Sequence, residues 1–168
     1  MNKIEGRVWL FGDHVNTDQI ISTKYMLLTS KSEMAEHAFE SIERNFSQRF
    51  EAGDIIIGGI NFGCGSAREQ APEVLKELGA GAIIAHSFNM TFFRNAINIG
   101  IPAIVCPNIN LETAKDDEIT VALDEGLIIN NTTGKEINIQ PYPDIIRDII
   151  NCSGLVNYYF KNRKERVV

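Results

Sequence analysis

Basic residues are in short supply in this chain: 16 Lys and Arg stand against 22 Asp and Glu, a formal charge of -6 over 168 residues. Nucleic-acid binders draw much of their affinity from displacing phosphate counterions, so a chain without a basic surplus is excluded from that class. A small anion in a local pocket stays compatible. Cysteine is scarce as well. Cys64, Cys106 and Cys152 are widely separated, no CxxC occurs, and none of the three histidines is spaced to complete a zinc site. The chain alone therefore carries no metal signature, and its cysteines read as buried apolar thiols in a reducing compartment. No apolar run approaches the ~20 residues of a membrane span. Met1 to Gly6 lacks the apolar core of a signal peptide, so a cytoplasmic protein is expected, and Asn89-Met90-Thr91 and Asn151-Cys152-Ser153 carry no glycosylation meaning. Internal repeats and low-complexity linkers are absent too. One domain over residues 1–168 is expected, since a chain of about 150 residues buries roughly 70% of its unfolded surface. The apolar share of 44% and charged share of 23% are those of a globular protein.

What is present has a clear order. Arg7 to Phe11 reads as a strand ending at Gly12-Asp13, followed by a polar loop to Asp18 and a second apolar run, Gln19 to Ile21. Ser32 to Phe50 reads as a helix with Met34, Ala38, Phe39, Ile42 and Phe46 on one face. A β-type run from Asp54 to Ile57 leads through a glycine-rich segment into a helix ending at Leu78. Ala82 to Ala85 is a buried strand, Met90 to Ile99 a helix closed by Gly100, and Ile101 to Val105 another strand. This β-α-β-α-β middle section implies an α/β fold with parallel strands joined by crossovers. Short strands and turns follow, Ile119 to Leu123, Leu127 to Ile129 and Glu136 to Ile139, the last after a turn at Asn131-Thr132-Thr133-Gly134. A C-terminal helix from Asp144 to Phe160 is expected to turn Ile146, Ile149, Ile150, Leu155 and Phe160 toward the core. The basic tail Lys161 to Arg166 suits a helix end.

The chemistry concentrates in Gly58-Gly59-Ile60-Asn61-Phe62-Gly63-Cys64-Gly65-Ser66-Ala67-Arg68-Glu69. A strand running into glycines and then a helix brings backbone amides and a helix N-terminus to one spot, which favours an anion. Four glycines in eight positions exceed the needs of one turn and point to close backbone approach or repeated positive φ. The pattern matches neither G-x-x-x-x-G-K-[ST] nor G-x-G-x-x-G, so a carboxylate is favoured over a nucleotide. Ser66 adds a hydroxyl able to move a proton, and Arg68 a guanidinium able to grip a carboxylate through two parallel bonds. Ser66-Ala67-Arg68-Glu69 also fits the S-x-x-E capping box, in which the hydroxyl only satisfies a helix amide. Pro72 bears on the choice, because a proline six positions past a cap at Ser66 implies either that regular helix begins near Pro72 or that its first turn is distorted. Ser66 and Arg68 are two positions apart and can face one ligand only outside a regular helix.

Gly63-Cys64-Gly65-Ser66-Ala67-Arg68-Glu69 resembles the small subunits of 3-isopropylmalate dehydratases, the swivelling β/β/α domain of the aconitase superfamily. Gly12-Asp13-His14-Val15-Asn16-Thr17-Asp18-Gln19-Ile20-Ile21 is similar to that family's G-D-x-x-x-T-D-x-I-I loop. Gly79 to Ile104, with His86-Ser87-Phe88 and Asn95 through Gly100-Ile101-Pro102, follows the family order, and Ser153-Gly154-Leu155-Val156 resembles its C-terminal end. The resemblance implies reversible dehydration and rehydration of a malate derivative. It further implies a [4Fe-4S] cluster on a separate large catalytic subunit, acting as Lewis acid on the substrate hydroxyl, with no cofactor bound by this chain. Ser66 takes the position of the family's base, with Arg68 as carboxylate clamp. Asp18 matches the functional Asp of the T-D pair, an Asx turn being the alternative. Asp13 and His14 read as structural. The family often has Ser at Ala67, so the number of oxyanion donors stays open.

In that family the loop here formed by Lys24-Tyr25-Met26-Leu27-Leu28-Thr29 contacts the variable group of the substrate. Gly65, Ala67, Arg68, Tyr25, Leu27 and Leu28 are thus the expected substrate-binding residues. An arginine in the loop would suit an extra carboxylate, whereas Leu27 and Leu28 offer only apolar surface, and an unpartnered buried carboxylate is costly. An isopropyl group and leucine biosynthesis are therefore expected, unless the two leucines belong to the core. Single methyl groups shift apolar recognition by only about 1–3 kcal/mol, which keeps 2,3-dimethylmalate and citramalate as alternatives, with homoaconitate the alternative from the same family that would need a partner for its extra carboxylate. A non-catalytic anion-binding module and a purely structural partner domain are the readings from other classes.

Overall fold

The computed structural model describes residues 3–165, with side chains through residue 163. Arg166 of the expected basic tail, and Met1 and Asn2, lie outside them. Seven strands form one sheet in the order β4-β3-β2-β1-β5-β6-β7. Strands β1 (Ile4–Leu10), β2 (Ile55–Gly58), β3 (Ala82–Ala85) and β4 (Ala103–Val105) are mutually parallel. Strands β5 (Glu118–Ala122), β6 (Leu127–Asn130) and β7 (Lys135–Asn138) continue from β1 as an antiparallel meander. The parallel section and the meander match the expected α/β architecture.

Helices α1 (Thr17–Ile20), α2 (Lys31–Ala35), α3 (Phe46–Arg49), α4 (Gln70–Glu77), α5 (Met90–Asn98), α6 (Ile109–Glu112), α7 (Asp144–Asn151) and α8 (Leu155–Glu165) complete the fold. Strand alternation divides the apolar residues between two cores. Trp9, Ile56, Ile83 and Ala103 join Val74, Leu75, Phe92, Ile149 and Ile150 in one. Val8, Ile55, Ile57, Ala82 and Ile84 join Ile109, Ile119, Val121 and Ile128 in the other. The meander thus covers the second face of the parallel strands, so the sheet is curled over its own core.

Two expectations on helices need correction, and one helix was not foreseen. Ser32 to Phe50 is not one helix: α2 stops at Ala35, and Phe39 and Asn45 have φ of 54° and 56°. The Phe39 amide is committed to the Ile20 carbonyl at 2.9 Å, and its ring stacks on Phe11 at 4.2 Å. That tertiary packing overrides the helical pattern, and Ile42, expected inside, is 40% exposed. The C-terminal helix is two helices, because Ser153 and Gly154 have φ of 58° and 125°. The break turns Leu155 and Phe160 outward, while Ile149 and Ile150 are buried as expected. The short helix α6 was not foreseen; four residues carry too few periods to read.

Candidate active site

Two segments some fifty residues apart in sequence are zipped together where β1 and β2 end. Asn16 pairs as a parallel bridge with Cys64. The Gly63 amide donates to the Val15 carbonyl at 2.8 Å, and the Thr17 amide to the Cys64 carbonyl at 2.9 Å. Asp13 Oδ1 accepts the Ile60 amide at 2.7 Å and stands where a Cβ on Gly59 would fall, the structural role expected of it. Gly63, at φ 76°, lies against the Phe92 ring, and Gly65 has φ 91°. The glycines therefore serve positive φ and close approach together.

Regular helix in α4 begins only at Gln70, and its N-terminal cap residue, Glu69, makes no side-chain cap bond. The capping box read at Ser66 does not form. Pro72 is the third helical residue, where its missing N–H costs no bond. Ser66 and Arg68 consequently both lie in irregular chain ahead of the helix. Ser66 is exposed and its hydroxyl bonds to no described residue; its carbonyl accepts from Thr17 Oγ1 at 2.9 Å. The backbone N–H groups of Gly65, Ser66, Ala67 and Arg68 likewise donate to no described residue. Four successive amides are thus left unpaired on the segment that carries Arg68, an arrangement able to bind an anion.

Arg68 is only 12% exposed at its side chain, and its placement is specific. Nη1 donates to Asp18 Oδ1 at 2.5 Å and to the Ile21 carbonyl at 3.3 Å, while Nη2 donates to Thr23 Oγ1 at 3.2 Å. Thr23 in turn donates to the same Asp18 oxygen at 2.9 Å. The Arg68 bond, and then the Thr23 bond, hold the Asp18 carboxyl below the usual carboxylate range. Asp18 is aimed by α1, whose capping box is complete: Asn16 Oδ1 accepts the Gln19 amide and Gln19 Oε1 the Asn16 amide. The Arg68 Nε–H has no partner among the described residues and is not fully buried, since Arg147 Nε alone among them is both buried and unbonded. The guanidinium is thus held by its outer nitrogens and retains a free edge.

The expected substrate loop divides its residues. Leu27 is 91% exposed, which dismisses a core role for it. Leu28 and Tyr25 pack against the first core, and the Tyr25 hydroxyl is engaged by Glu40. Of the expected site residues the fold brings together Ser66, Arg68, Asp18, Gly65 and Ala67, with Leu27 at the tip of a neighbouring loop. Sequence reasoning missed Thr17, buried beneath the Ser66 carbonyl, and Thr23, which completes the Arg68 cradle. Thr17 was readable as half of the T-D pair; Thr23 had no signal, because only folding brings it to an arginine far along the chain.

Among the described residues no cluster of three or more His, Cys, Asp or Glu is arranged to hold a metal ion, and no helix is long and apolar enough to cross a membrane. The aconitase C-terminal domain family matches residues 13–108. The chain is 44% identical to the 3-isopropylmalate dehydratase small subunit of Thermodesulfovibrio yellowstonii, over 93% of each chain. It is 46% identical to the methanogen homoaconitase small subunit of Methanothermobacter thermautotrophicus, over 94% of this chain and 91% of that one. A crystal structure of 3-isopropylmalate dehydratase from Methanocaldococcus jannaschii superposes with a TM-score of 0.93 at 38% identity, covering 98% of each chain.

Proposed function

The chain belongs to the aconitase C-terminal domain family, among its dehydratase small subunits, and from that membership we propose that it works in a hydro-lyase interconverting 2- and 3-isopropylmalate for leucine biosynthesis. Residues 1–168 are read as one domain, the small subunit of a two-subunit enzyme. Its partner is a large catalytic subunit of the aconitase type, which would hold a [4Fe-4S] cluster. That cluster supplies Lewis acidity toward the substrate hydroxyl. Cys64, Cys106 and Cys152 are free thiols. Free thiols suit a cytoplasmic setting.

The observation that carries this reading is the coincidence of an unbonded Ser66 hydroxyl, four unpaired amides and the Arg68 guanidinium on one short irregular segment ahead of α4. Arg68 grips a substrate carboxylate by its Nε edge, with Asp18 and Thr23 keeping the other edge in place. Ser66 Oγ takes the proton from the carbon beside that carboxylate. A serine hydroxyl is a weak base, so its anion must be stabilised, and the Gly65 to Arg68 amides and the guanidinium supply positive potential for that. Leu27 offers an apolar contact to the alkyl group.

Homoaconitate is the second reading, favoured by the methanogen relative. Its additional carboxylate would meet Leu27, which offers it no partner. The test is anaerobic reconstitution with the large subunit and assay on a panel of isopropylmalate, 2,3-dimethylmalate, citramalate and homoaconitate. Isopropylmalate is expected to be preferred. Ser66→Ala is expected to lower kcat by about 10²-fold or more with assembly unchanged, the range of a lost general base. Near-normal turnover would dismiss Ser66.

A further inference from the structure

The loop that presents Leu27 is tied to the body of the protein through one carboxylate. Glu40 Oε1 accepts from the Tyr25 hydroxyl at 2.6 Å and pairs with Lys24 Nζ at 2.7 Å, while Glu40 Oε2 meets His37 Nδ1 at 2.9 Å. The Tyr25 ring stacks flat on the His37 ring, centroids 3.6 Å apart and planes 6° from parallel, and Lys24 Nζ lies 4.5 Å from the Tyr25 ring centre. Three side chains from two separate segments thus meet at Glu40.

Lys24 and Tyr25 belong to a single 3-10 turn, Thr23–Tyr25, whose first residue is the Thr23 that bonds Asp18 and Arg68. The chain then continues with Met26 bonded back to Thr23 and Leu28 to Tyr25, each at 3.1 Å. Leu28 enters the core, so Leu27, between a pinned tyrosine and a packed leucine, has nowhere to point but outward. One turn therefore connects the carboxylate clamp at one end with the alkyl contact at the other. Exposed ion pairs add little to global stability. What this cluster does is restrict a short surface loop, whose ordering entropy would otherwise be lost when substrate binds.

We propose that Glu40 is a positioning residue for substrate selectivity: by holding Tyr25 and Lys24 against His37, it fixes where Leu27 meets the alkyl group. Glu40 itself touches no substrate. The inference rests on the proposed function, in which this loop faces the variable group. A loop held before binding discriminates between alkyl groups by contact, whereas a loose loop accommodates any of them and must be ordered by the ligand.

The test uses the enzyme assembled with its large subunit and compares kcat/KM for 3-isopropylmalate and 3-methylmalate. Glu40→Ala is expected to raise KM for 3-isopropylmalate about tenfold while kcat stays within about twofold, and to compress the preference for isopropyl over methyl by about tenfold. Glu40→Gln, which retains an acceptor for Tyr25, should restore part of that preference. Tyr25→Phe, which removes a single hydroxyl, should compress it partially and serves should Glu40→Ala not fold. Leu27→Ala tests the underlying reading separately. Lost preference in Leu27→Ala with an unchanged preference in Glu40→Ala, or in Tyr25→Phe where Glu40→Ala does not fold, overturns the positioning role and leaves the loop assignment standing. Unchanged preference in Leu27→Ala removes the loop assignment, and this inference with it.

Discussion

Arg68 illustrates how a charged side chain can be mostly covered and still available. Asp18, Thr23 and the Ile21 carbonyl occupy its outer nitrogens, so the guanidinium has lost most of its rotamer freedom before any ligand arrives. Asp18→Asn should keep the shape but loosen that hold. The pair is half-exposed on the carboxylate side, where such pairs contribute about 0–1 kcal/mol, so thermal stability should barely change. KM for the dicarboxylate is expected to rise about tenfold, which steady-state assay of the reconstituted enzyme will measure. The pH dependence has a defined sign. A carboxyl held below its ordinary value of 3.8 contributes stability above that value and loses it as pH falls through the lower folded value. Titration of the wild-type subunit followed by carboxylate NMR should therefore show Asp18 ionised below 3.8, and in Arg68→Ala its midpoint should move back up.

Among the elements, the glycine segment sets the geometry of the mouth, and its glycines differ in what they require. Gly63 combines φ 76° with a would-be Cβ only 2.2 Å from Phe92 Cγ, whereas Gly134, in the turn between β6 and β7, has φ 75° and open space around it. Overpacking costs about 1–3 kcal/mol and the left-handed conformation about 1–2 kcal/mol. Gly63→Ala should thus lose about 3 kcal/mol in urea unfolding and Gly134→Ala about 1 kcal/mol; equal losses would mean that backbone conformation, not Phe92, decides. The helices teach a related lesson. Apolar spacing read Ser32 to Phe50 as one helix, yet the Phe39 amide bonds Ile20 and the ring stacks on Phe11, and a tertiary contact outweighed local periodicity. Where glycine or proline punctuated the pattern, as at Pro72 in the first turn of α4 or Gly100 after α5, the boundaries were legible.

The whole molecule places the candidate site residues at the carboxyl ends of the parallel strands. The opposite end is locked by Asp54, which accepts from Trp9 Nε1 at 2.7 Å, from Arg7 at 3.0 Å and from the Glu51 amide at 3.0 Å. A segment of unpaired amides at the other end suits a half-site completed by another chain. The isolated subunit is accordingly expected to be inactive and to bind isopropylmalate only weakly by calorimetry, with activity appearing on addition of the large subunit. Tight binding by the isolated chain would favour a self-sufficient anion-binding module. From sequence alone came the α/β order, the glycine mouth, Ser66 with Arg68, Asp18 and the family resemblance, because these are written in local residue patterns and short spacings. Only the tertiary structure decided that Ser66 does not cap a helix, that Thr23 completes the Arg68 cradle, that Leu27 rather than Leu28 is the exposed leucine of its loop, and that Glu40 bonds to that loop. Each of these depends on side chains that are distant along the chain and adjacent in space, and no local pattern encodes which of many distant partners the packing of the core will select.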